Sequence, residues 1–266
     1  LLTGIYPSGE SPRPGVTGRI VLDAVRDASP ELSVTYCESL EEAEDHLVDV
    51  LEPGDLCLTL GAGDLTLMPD RVRSRVAAGF AEALRAEMPD SVVSLDEPIG
   101  ARTTYRVGGR ATVWVEAGSI ADLRTVCAAA RRVGLPVLPI GRGSNLLVAD
   151  SGFDGVALGL SGEFERVVVD GTSVVAGAGV ALPALARQTV AAGLTGFEWA
   201  VGVPGSIGGA VVMNAGGHGS DMAASVRWVD VLSLDTGAVE RCTREQLAFG
   251  YRRSAIGPEQ IVLSAE

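Results

Sequence analysis

The sequence predicts a mixed α+β domain over residues 98–266, preceded by a partial parallel α/β unit over residues 1–88. The earlier residues alternate helix and strand patterns around one glycine turn, whereas the later ones carry short strands and two glycine-rich loops. Charge changes at the same place, because residues 1–90 hold 17 acidic and 7 basic residues while the rest hold 17 and 14. A polar, proline-bearing stretch therefore predicts a linker over residues 89–97.

The first unit is predicted to contain alternating helices and strands. Ser39 followed by Glu42 predicts a capping box at the start of its second helix. Leu56–Leu60 is a short apolar run typical of a buried strand, and it leads into the turn Gly61–Asp64. The unit has too few strands for a complete enzyme. Its predicted elements are helices over residues 16–28, 39–51 and 70–87 and strands over residues 34–37 and 56–60.

The second part is predicted to mix strands and helices. Alternation of apolar and polar residues indicates strands, and helical spacing of apolar residues indicates two amphipathic helices. A strand-like run over residues 261–263 stands just before the last residue. The other predicted elements are strands over residues 111–115, 136–140, 155–160, 165–169, 172–176 and 227–233 and helices over residues 119–133 and 181–192.

Composition narrows the class of protein. The formal net charge of −13 argues against nucleic acid as a partner, because neutralising phosphates requires basic patches. No apolar stretch reaches the length of a membrane span, and no secretory signal is visible at the start. These features predict a cytoplasmic protein that does not insert into a membrane. Since the chain does not begin with Met and ends just after a strand-like run, we expect it to be a fragment.

The cysteines and histidines indicate which redox and metal chemistry to expect. The four cysteines form no CxxC pair and stand among apolar neighbours, which predicts reduced thiols in the core. His46 and His218 are the only histidines, so a metal site is not expected.

Two short glycine-rich segments carry the strongest functional signal. They are Gly141-Arg142-Gly143-Ser144-Asn145-Leu146, which follows an apolar run, and Gly202–Ala210, about sixty residues later. Small residues and free backbone N–H groups in tight turns are typical of diphosphate sites. The chain has no lysine, which argues against a P-loop, and the first segment lacks the third glycine of a Rossmann fingerprint. The pattern predicts a large nucleotide held by two backbone loops.

Five motifs follow one another along residues 92–266: Thr103-Thr104-Tyr105-Arg106-Val107-Gly108-Gly109, Gly141–Leu147, Gly202–Gly209, Met213-Asn214-Ala215-Gly216 and Phe249-Gly250-Tyr251-Arg252-Arg253-Ser254. In these motifs and their order, the segment resembles the UDP-N-acetylenolpyruvoylglucosamine reductase (MurB) family. Residues 1–88 resemble a different family, the C-terminal end of UDP-N-acetylmuramate–L-alanine ligase (MurC). Its matching pieces are Ile5–Glu10, Pro14–Gly18 and Gly61–Asp64.

The resemblance to the reductase implies a cofactor and a fold. It implies a two-subdomain FAD-binding fold of the vanillyl-alcohol oxidase (PCMH) type, with NADPH as hydride donor and a UDP-sugar as substrate. The first glycine loop would wrap the pyrophosphate of FAD, and the second would approach the pyrophosphate and flavin. By matching positions, the implied cofactor-binding residues are Thr104, Tyr105, Gly141, Arg142, Gly143, Ser144, Asn145, Leu146, Val203, Pro204, Gly205, Ser206, Gly208, Gly209, Val212, Asn214 and Gly216.

The same resemblance implies a catalytic arginine. Reduction of the enolpyruvyl group builds negative charge on the substrate carboxylate and C2, and a fixed guanidinium stabilises such charge. Arg252 occupies the matching position, and Tyr251 is a weaker candidate, near the site or in the core. Ser254 is not the expected acid, because the family's acid serine, its catalytic glutamate and its substrate domain belong to later segments than this chain contains.

Two other functions stay open at this point. The chain would fit another FAD-linked oxidase of the same fold, although no His or Cys in the motifs is placed as a covalent flavin anchor. It would also fit a non-catalytic flavin-binding or scaffold fragment, whose ligase-like part associates with other enzymes of peptidoglycan-precursor synthesis.

Overall fold

The computed structural model of the chain describes residues 1–6, 8–11 and 13–266. Pro7, which belongs to the first ligase-like motif, lies outside the described residues. The chain forms two compact units, Leu1–Gly79 and Phe80–Glu266. The predicted domain boundaries differ from this division by several residues and stay a prediction.

The first unit is mainly helical. Its second helix is capped as expected, because Ser39 Oγ accepts a hydrogen bond from the Glu42 N–H at 3.1 Å. The Glu42 carboxylate accepts a hydrogen bond from the N–H of Glu38 at 2.8 Å, whereas a capping box would have it accept from the N–H of Ser39. The helices are α1 (Arg19–Ala28), α2 (Leu40–Val50) and α3 (Met68–Glu87), of which α3 ends in the second unit.

The two strands predicted in the first unit are wrong. Residues 34–37 contribute one parallel bridge, between Tyr36 and Leu2, and the run over residues 56–60 pairs with no other described segment. Leu56, Leu58 and Leu60 are 83%, 73% and 87% exposed. An apolar run becomes a buried strand only where neighbouring strands satisfy its backbone and cover both faces. The sequence pattern shows the apolar side chains but not whether such neighbours exist.

The cysteines differ in burial, so the expectation of four core thiols is wrong for one of them. Cys37 and Cys127 are buried, Cys242 is half-buried and Cys57 is exposed in the unpaired run. Burial raises the pKa of Cys127 to about 11, and it also raises the pKa of Cys37 and Cys242. All four thiols are free.

We expect Cys57 to react first with Ellman's reagent in the native protein at pH 8. Cys127 is expected to stay unreacted, because it is buried and its thiol remains protonated until the pH approaches about 11. The measurement is the time course of thiol release in the native protein and in Cys57→Ser. A fast phase that survives in Cys57→Ser would contradict this assignment.

The second unit contains two sheets and a short hairpin. The first sheet has the strand order β1-β2-β4-β3, with β2, β4 and β3 parallel, and the second has the order β10-β9-β11-β6-β5 and is antiparallel. The strands are β1 (Val92–Glu97), β2 (Ala111–Ala117), β3 (Val137–Pro139), β4 (Phe153–Leu160), β5 (Val167–Asp170), β6 (Ser173–Gly177), β7 (Gly216–Gly217), β8 (Ser220–Asp221), β9 (Trp228–Ser233), β10 (Val239–Thr243) and β11 (Gln260–Ala265).

Four α-helices complete the second unit. Its fold is the predicted mixture of strands and helices, and strand β1 occupies most of the range predicted as a linker. The core of the second sheet includes Leu182, Ala186, Ile207 and Val211, through which α5 and α6 pack against the strands. The helices are α4 (Ile120–Val133), α5 (Leu182–Ala191), α6 (Ile207–Val212) and α7 (Met222–Ser225).

No helix in the described part of the chain is long and apolar enough to cross a membrane.

Candidate functional site

Three loops of the second unit meet and form what we call the three-loop cradle, residues 103–109, 141–147 and 203–209. The first loop is tied to the second because the Thr104 N–H donates to the Gly143 carbonyl at 3.0 Å. The second is tied to the third because Ser144 Oγ donates to the Pro204 carbonyl at 3.3 Å. Both predicted glycine loops and the predicted Thr104 are therefore brought together.

Glycine is required where the loops touch. Gly143 has φ 60°, and a Cβ there would overlap the Arg102 carbonyl oxygen. A Cβ on Gly141 would overlap Ser206 Oγ. Gly205 has φ 133°, a conformation that L residues rarely adopt, and its Cβ would lie 3.2 Å from Ser144 Oγ. The glycines thus allow three stretches of backbone to approach one another closely.

The cradle presents a run of unused backbone donors. Across the described residues, no protein acceptor receives the N–H groups of residues 141–145, or those of Gly205 and Ser206. Backbone N–H groups need a partner, either water or a ligand. Closely spaced N–H donors in glycine turns suit the oxygens of a diphosphate. The donor set therefore fits the pyrophosphate of FAD.

Other predicted residues of the third loop serve the packing of α6. Gly208 donates its N–H to the Ala178 carbonyl at 2.9 Å, and a Cβ on Gly208 would lie 3.0 Å from that residue's Cβ. Ser206 is the N-cap of α6, with its Oγ accepting from the Gly209 N–H at 3.5 Å. Val203 donates its N–H to the Ala200 carbonyl. The amides of Val203, Gly208 and Gly209 are thus used within the protein.

The rim of the cradle carries cations without protein partners. Arg142 and Arg106 are exposed and, within the described residues, neither forms an ion pair or a side-chain hydrogen bond. Tyr105 and Asn145 are also exposed there, while Leu146 packs against the core. Sequence reasoning missed Arg106 as a site residue, although it lies inside a matched motif. Its φ of 54° is the additional signal that only the structure provides.

Buried Thr103 and exposed Arg102 hold the first loop in place. Thr103 Oγ1 donates to the Gly100 carbonyl at 2.8 Å and accepts from the Arg106 N–H at 3.1 Å. The Arg102 guanidinium pairs with Glu97 at 2.8 Å and stacks 3.9 Å from the ring centroid of Trp114. The loop therefore meets Gly143 in a fixed conformation.

Val212, Asn214 and Gly216 lie at the far end of α6 from the glycine loops. The Asn214 side chain is 6% exposed and has three protein partners: Nδ2 donates to Gly250 O and to Asp221 Oδ2, and Oδ1 accepts from the Ala223 N–H. Gly216 pairs with Asp221 in the β7–β8 hairpin. The structure therefore gives Asn214 a structural role, and its side chain has no donor left for a cofactor.

Tyr251 and Arg252 form the tip of a two-residue turn, Gly250–Arg253, which we call the Arg252 turn. Its ends exchange backbone hydrogen bonds of 3.0 and 3.2 Å. Tyr251 is 90% exposed, which excludes the core position considered for it, and Arg252 is exposed with φ 55°. The Arg252 guanidinium lies 5.5 Å from the Tyr251 ring centroid and, within the described residues, meets no carboxylate. Within the described residues, no hydrogen bond or ion pair joins the Arg252 turn directly to residues 141–147.

Among the described residues, no group of three or more His, Cys, Asp and Glu side chains is arranged to hold a metal ion. The chemistry that the site offers is instead that of backbone N–H groups and arginine cations.

Comparison with known families agrees with this geometry. Residues 111–243 match the family described as FAD binding domain, and the chain belongs to that family. This match confirms FAD as the cofactor class, and the predicted α+β FAD-binding fold is confirmed with it.

Curated relatives are more specific. The chain is 43% identical over 167 residues to the UDP-N-acetylenolpyruvoylglucosamine reductase of Heliobacterium modesticaldum, covering 63% of this chain and 53% of that protein. It is 40% identical over 172 residues to the enzyme of the same name from Rubrobacter xylanophilus, covering 64% and 57%. The chain thus spans a little over half the length of the curated relatives it matches.

Solved structures resemble about two thirds of the chain. The UDP-N-acetylenolpyruvylglucosamine reductase (MurB) of Thermus caldophilus is similar with a TM-score of 0.56 and 35% identity, covering 66% of this chain and 60% of that one. A variant of Physcomitrella patens BBE-like 1 is similar with a TM-score of 0.51 and 20% identity, covering 70% and 43%. The second likeness concerns the fold alone.

Proposed function

We propose that this chain forms the flavin-binding part of a reductase that converts UDP-N-acetylglucosamine enolpyruvate to UDP-N-acetylmuramate, a step of peptidoglycan synthesis. The observation that carries the proposal is the three-loop cradle, in which two glycine loops with unused N–H donors are joined by a hydrogen bond. The similarity to curated reductases at about 40% identity supports the choice of reaction.

The cradle would hold FAD mainly through backbone. The N–H groups of residues 141–145, Gly205 and Ser206 would bind the pyrophosphate, and the exposed Arg142 and Arg106 would add positive charge at the rim. Thr104 and Tyr105 would lie near the ring system. When bound, FAD would supply hydride-transfer chemistry, with NADPH as the donor and C3 of the enolpyruvyl group as the acceptor.

Arg252 would bind the carboxylate of the enolpyruvyl group. Hydride addition at C3 leaves negative charge on C2 and that carboxylate, and a guanidinium already in position stabilises it without reorganisation. Arg252 has a cation free of any carboxylate in the described structure and stands on a strained, hydrogen-bonded turn. Backbone strain of this kind is concentrated at functional sites. Tyr251 packs beside it as a neighbour of the guanidinium.

The first unit supports a proposal of its own. We infer that residues 1–88 correspond to the C-terminal end of a UDP-N-acetylmuramate–L-alanine ligase and associate with other enzymes of peptidoglycan-precursor synthesis. The ordered ligase-like motifs support this inference, as does the parallel bridge between Leu2 and Tyr36. Four free thiols suit a reducing compartment, and we propose the cytoplasm as the location.

We expect the purified chain to bind FAD noncovalently. The unused donors of the cradle supply the binding free energy, and no covalent link is needed. Titration of the apoprotein with FAD, followed by flavin fluorescence, measures the affinity, and heating should release the chromophore into solution. A protein that takes up no added FAD would overturn the proposed function.

A further inference from the structure

Two side chains connect the Arg252 turn to α6, the helix that begins within the third loop of the cradle. Ser254 Oγ donates to the Val212 carbonyl, the last residue of α6, at 2.9 Å. On the other side of the turn, Asn214 Nδ2 donates to the Gly250 carbonyl at 3.0 Å. The turn is therefore attached at both of its ends to the C-terminal end of one helix.

That helix is itself fixed. The Ile207 N–H donates to the Val180 carbonyl at 2.8 Å, and Ile207, Ala210 and Val211 are buried in the core of the second sheet. A helix of six residues is about 9 Å long, and its N-cap, Ser206, belongs to the cradle. The cradle and the anchors of the Arg252 turn thus lie at opposite ends of one short helix, α6.

Each anchoring side chain has its remaining hydrogen-bonding groups occupied. Ser254 Oγ accepts from the Ile256 N–H at 3.3 Å, which directs its hydroxyl hydrogen to Val212. Asn214 also binds Asp221 and Ala223, at 3.2 and 2.9 Å, and has φ 40°. An amide held by three partners in a left-handed backbone conformation has little freedom to move.

We propose that Asn214 and Ser254 are positioning residues that fix Arg252 relative to the flavin. The inference rests on the proposed function and assigns to Asn214 a role different from the cofactor contact that its motif implies. Without the anchors, the exposed turn would keep its own two backbone hydrogen bonds and, beside it, the bond from the Ala255 N–H to the Leu247 carbonyl, while Arg252 keeps a backbone conformation unfavourable for an L residue. The anchors convert a mobile surface arginine into one at a fixed place.

Limited digestion with trypsin tests the anchors directly, because trypsin cleaves after Arg252 and Arg253 only when the turn opens. Ser254→Ala should raise cleavage at this turn about fivefold, the effect of losing one hydrogen bond, while cleavage elsewhere and FAD affinity stay unchanged and the melting temperature falls by only about 2–4 °C. Ser254→Thr keeps a hydroxyl and should restore the slow cleavage. Asn214→Asp, which keeps only the acceptor, should also open the turn.

Ser233→Ala is the matched control. Ser233 Oγ accepts from the Thr236 N–H at the end of β9, so the control removes a similar hydroxyl away from α6. The control should leave cleavage at the Arg252 turn unchanged. Unchanged cleavage in Ser254→Ala, or cleavage that rises equally at all arginines, would overturn the positioning role.

A second measurement links the anchors to ligand binding. UDP-N-acetylglucosamine enolpyruvate is titrated into an FAD-loaded form of the protein that also carries the segment matching the rest of its relatives, and binding is followed by the change in flavin absorbance. Ser254→Ala should weaken binding in the native background and have no further effect in Arg252→Ala, because it acts through that arginine. Additive losses would overturn the proposal. If the native chain gives no response at all, the proposed substrate fails, and the digestion still decides whether the anchors hold the turn.

Discussion

Gly205→Val is expected to lower the affinity for FAD at least about tenfold, roughly 1.4 kcal/mol, while the fold persists. Valine cannot adopt φ 133° without strain, and its Cβ would press on Ser144 Oγ, the atom that ties the two glycine loops. The Gly205 carbonyl also accepts from the Leu182 N–H at 3.0 Å, so a shifted backbone would disturb α5. The unused amides of Gly205 and Ser206 would no longer point into the cradle.

Gly193→Val is the matched control for strain. Gly193 has φ 76°, and a Cβ there would meet open space, so the substitution strains the backbone without entering the cradle. Both variants are expected to lose stability, and only Gly205→Val should lose FAD affinity. Circular dichroism checks the fold and fluorescence titration measures the affinity. Equal affinities in the two variants would show that this loop does not line the cofactor site.

Local patterns in the sequence predicted most elements of the second unit. Helix α4 begins at the N-cap Ser119, whose capping box with Asp122 is complete, and it ends at Gly134 with φ 70°. Such caps depend on residue types within a few positions of the helix end, so they can be predicted from the sequence. Strand β1 was missed because it pairs only with β2, about twenty residues later, and alternates weakly in burial. Its pairing is a long-range property.

The site shows the same limit. Glycine-rich loops can be found from sequence, but the contact between Ser144 and Pro204 joins residues sixty positions apart. The glycine pattern and the order of motifs in a known family suggested that these loops act together, but neither showed the contact that joins them. The sequence likewise could not show that Gly250, Asp221 and Ala223 occupy the Asn214 amide, and the cofactor contact of this residue stays a prediction.

Arg252→Gly is expected to stabilise the protein and to abolish most of its reductase activity. Glycine relieves φ 55°, which costs an L residue about 1–2 kcal/mol, and the entropy of the more flexible unfolded chain offsets part of this gain. We therefore expect the free energy of unfolding to rise by at most about 1 kcal/mol. Loss of the guanidinium should lower turnover at least about a hundredfold, the size expected for one group that stabilises developing charge.

Two further variants separate strain from chemistry. Arg252→Ala keeps the strained backbone, so it should lose the same activity without the gain in stability. Ala248→Gly relieves φ 43° at another exposed position, so it should gain stability and keep full activity. Chemical denaturation measures stability, and NADPH oxidation measures turnover in a form of the protein that also carries the segment matching the rest of its relatives. If Arg252→Gly turned over normally, the negative charge on the substrate would have to be stabilised by another group, and the exposed Arg142 and Arg106 would be the cations to examine next.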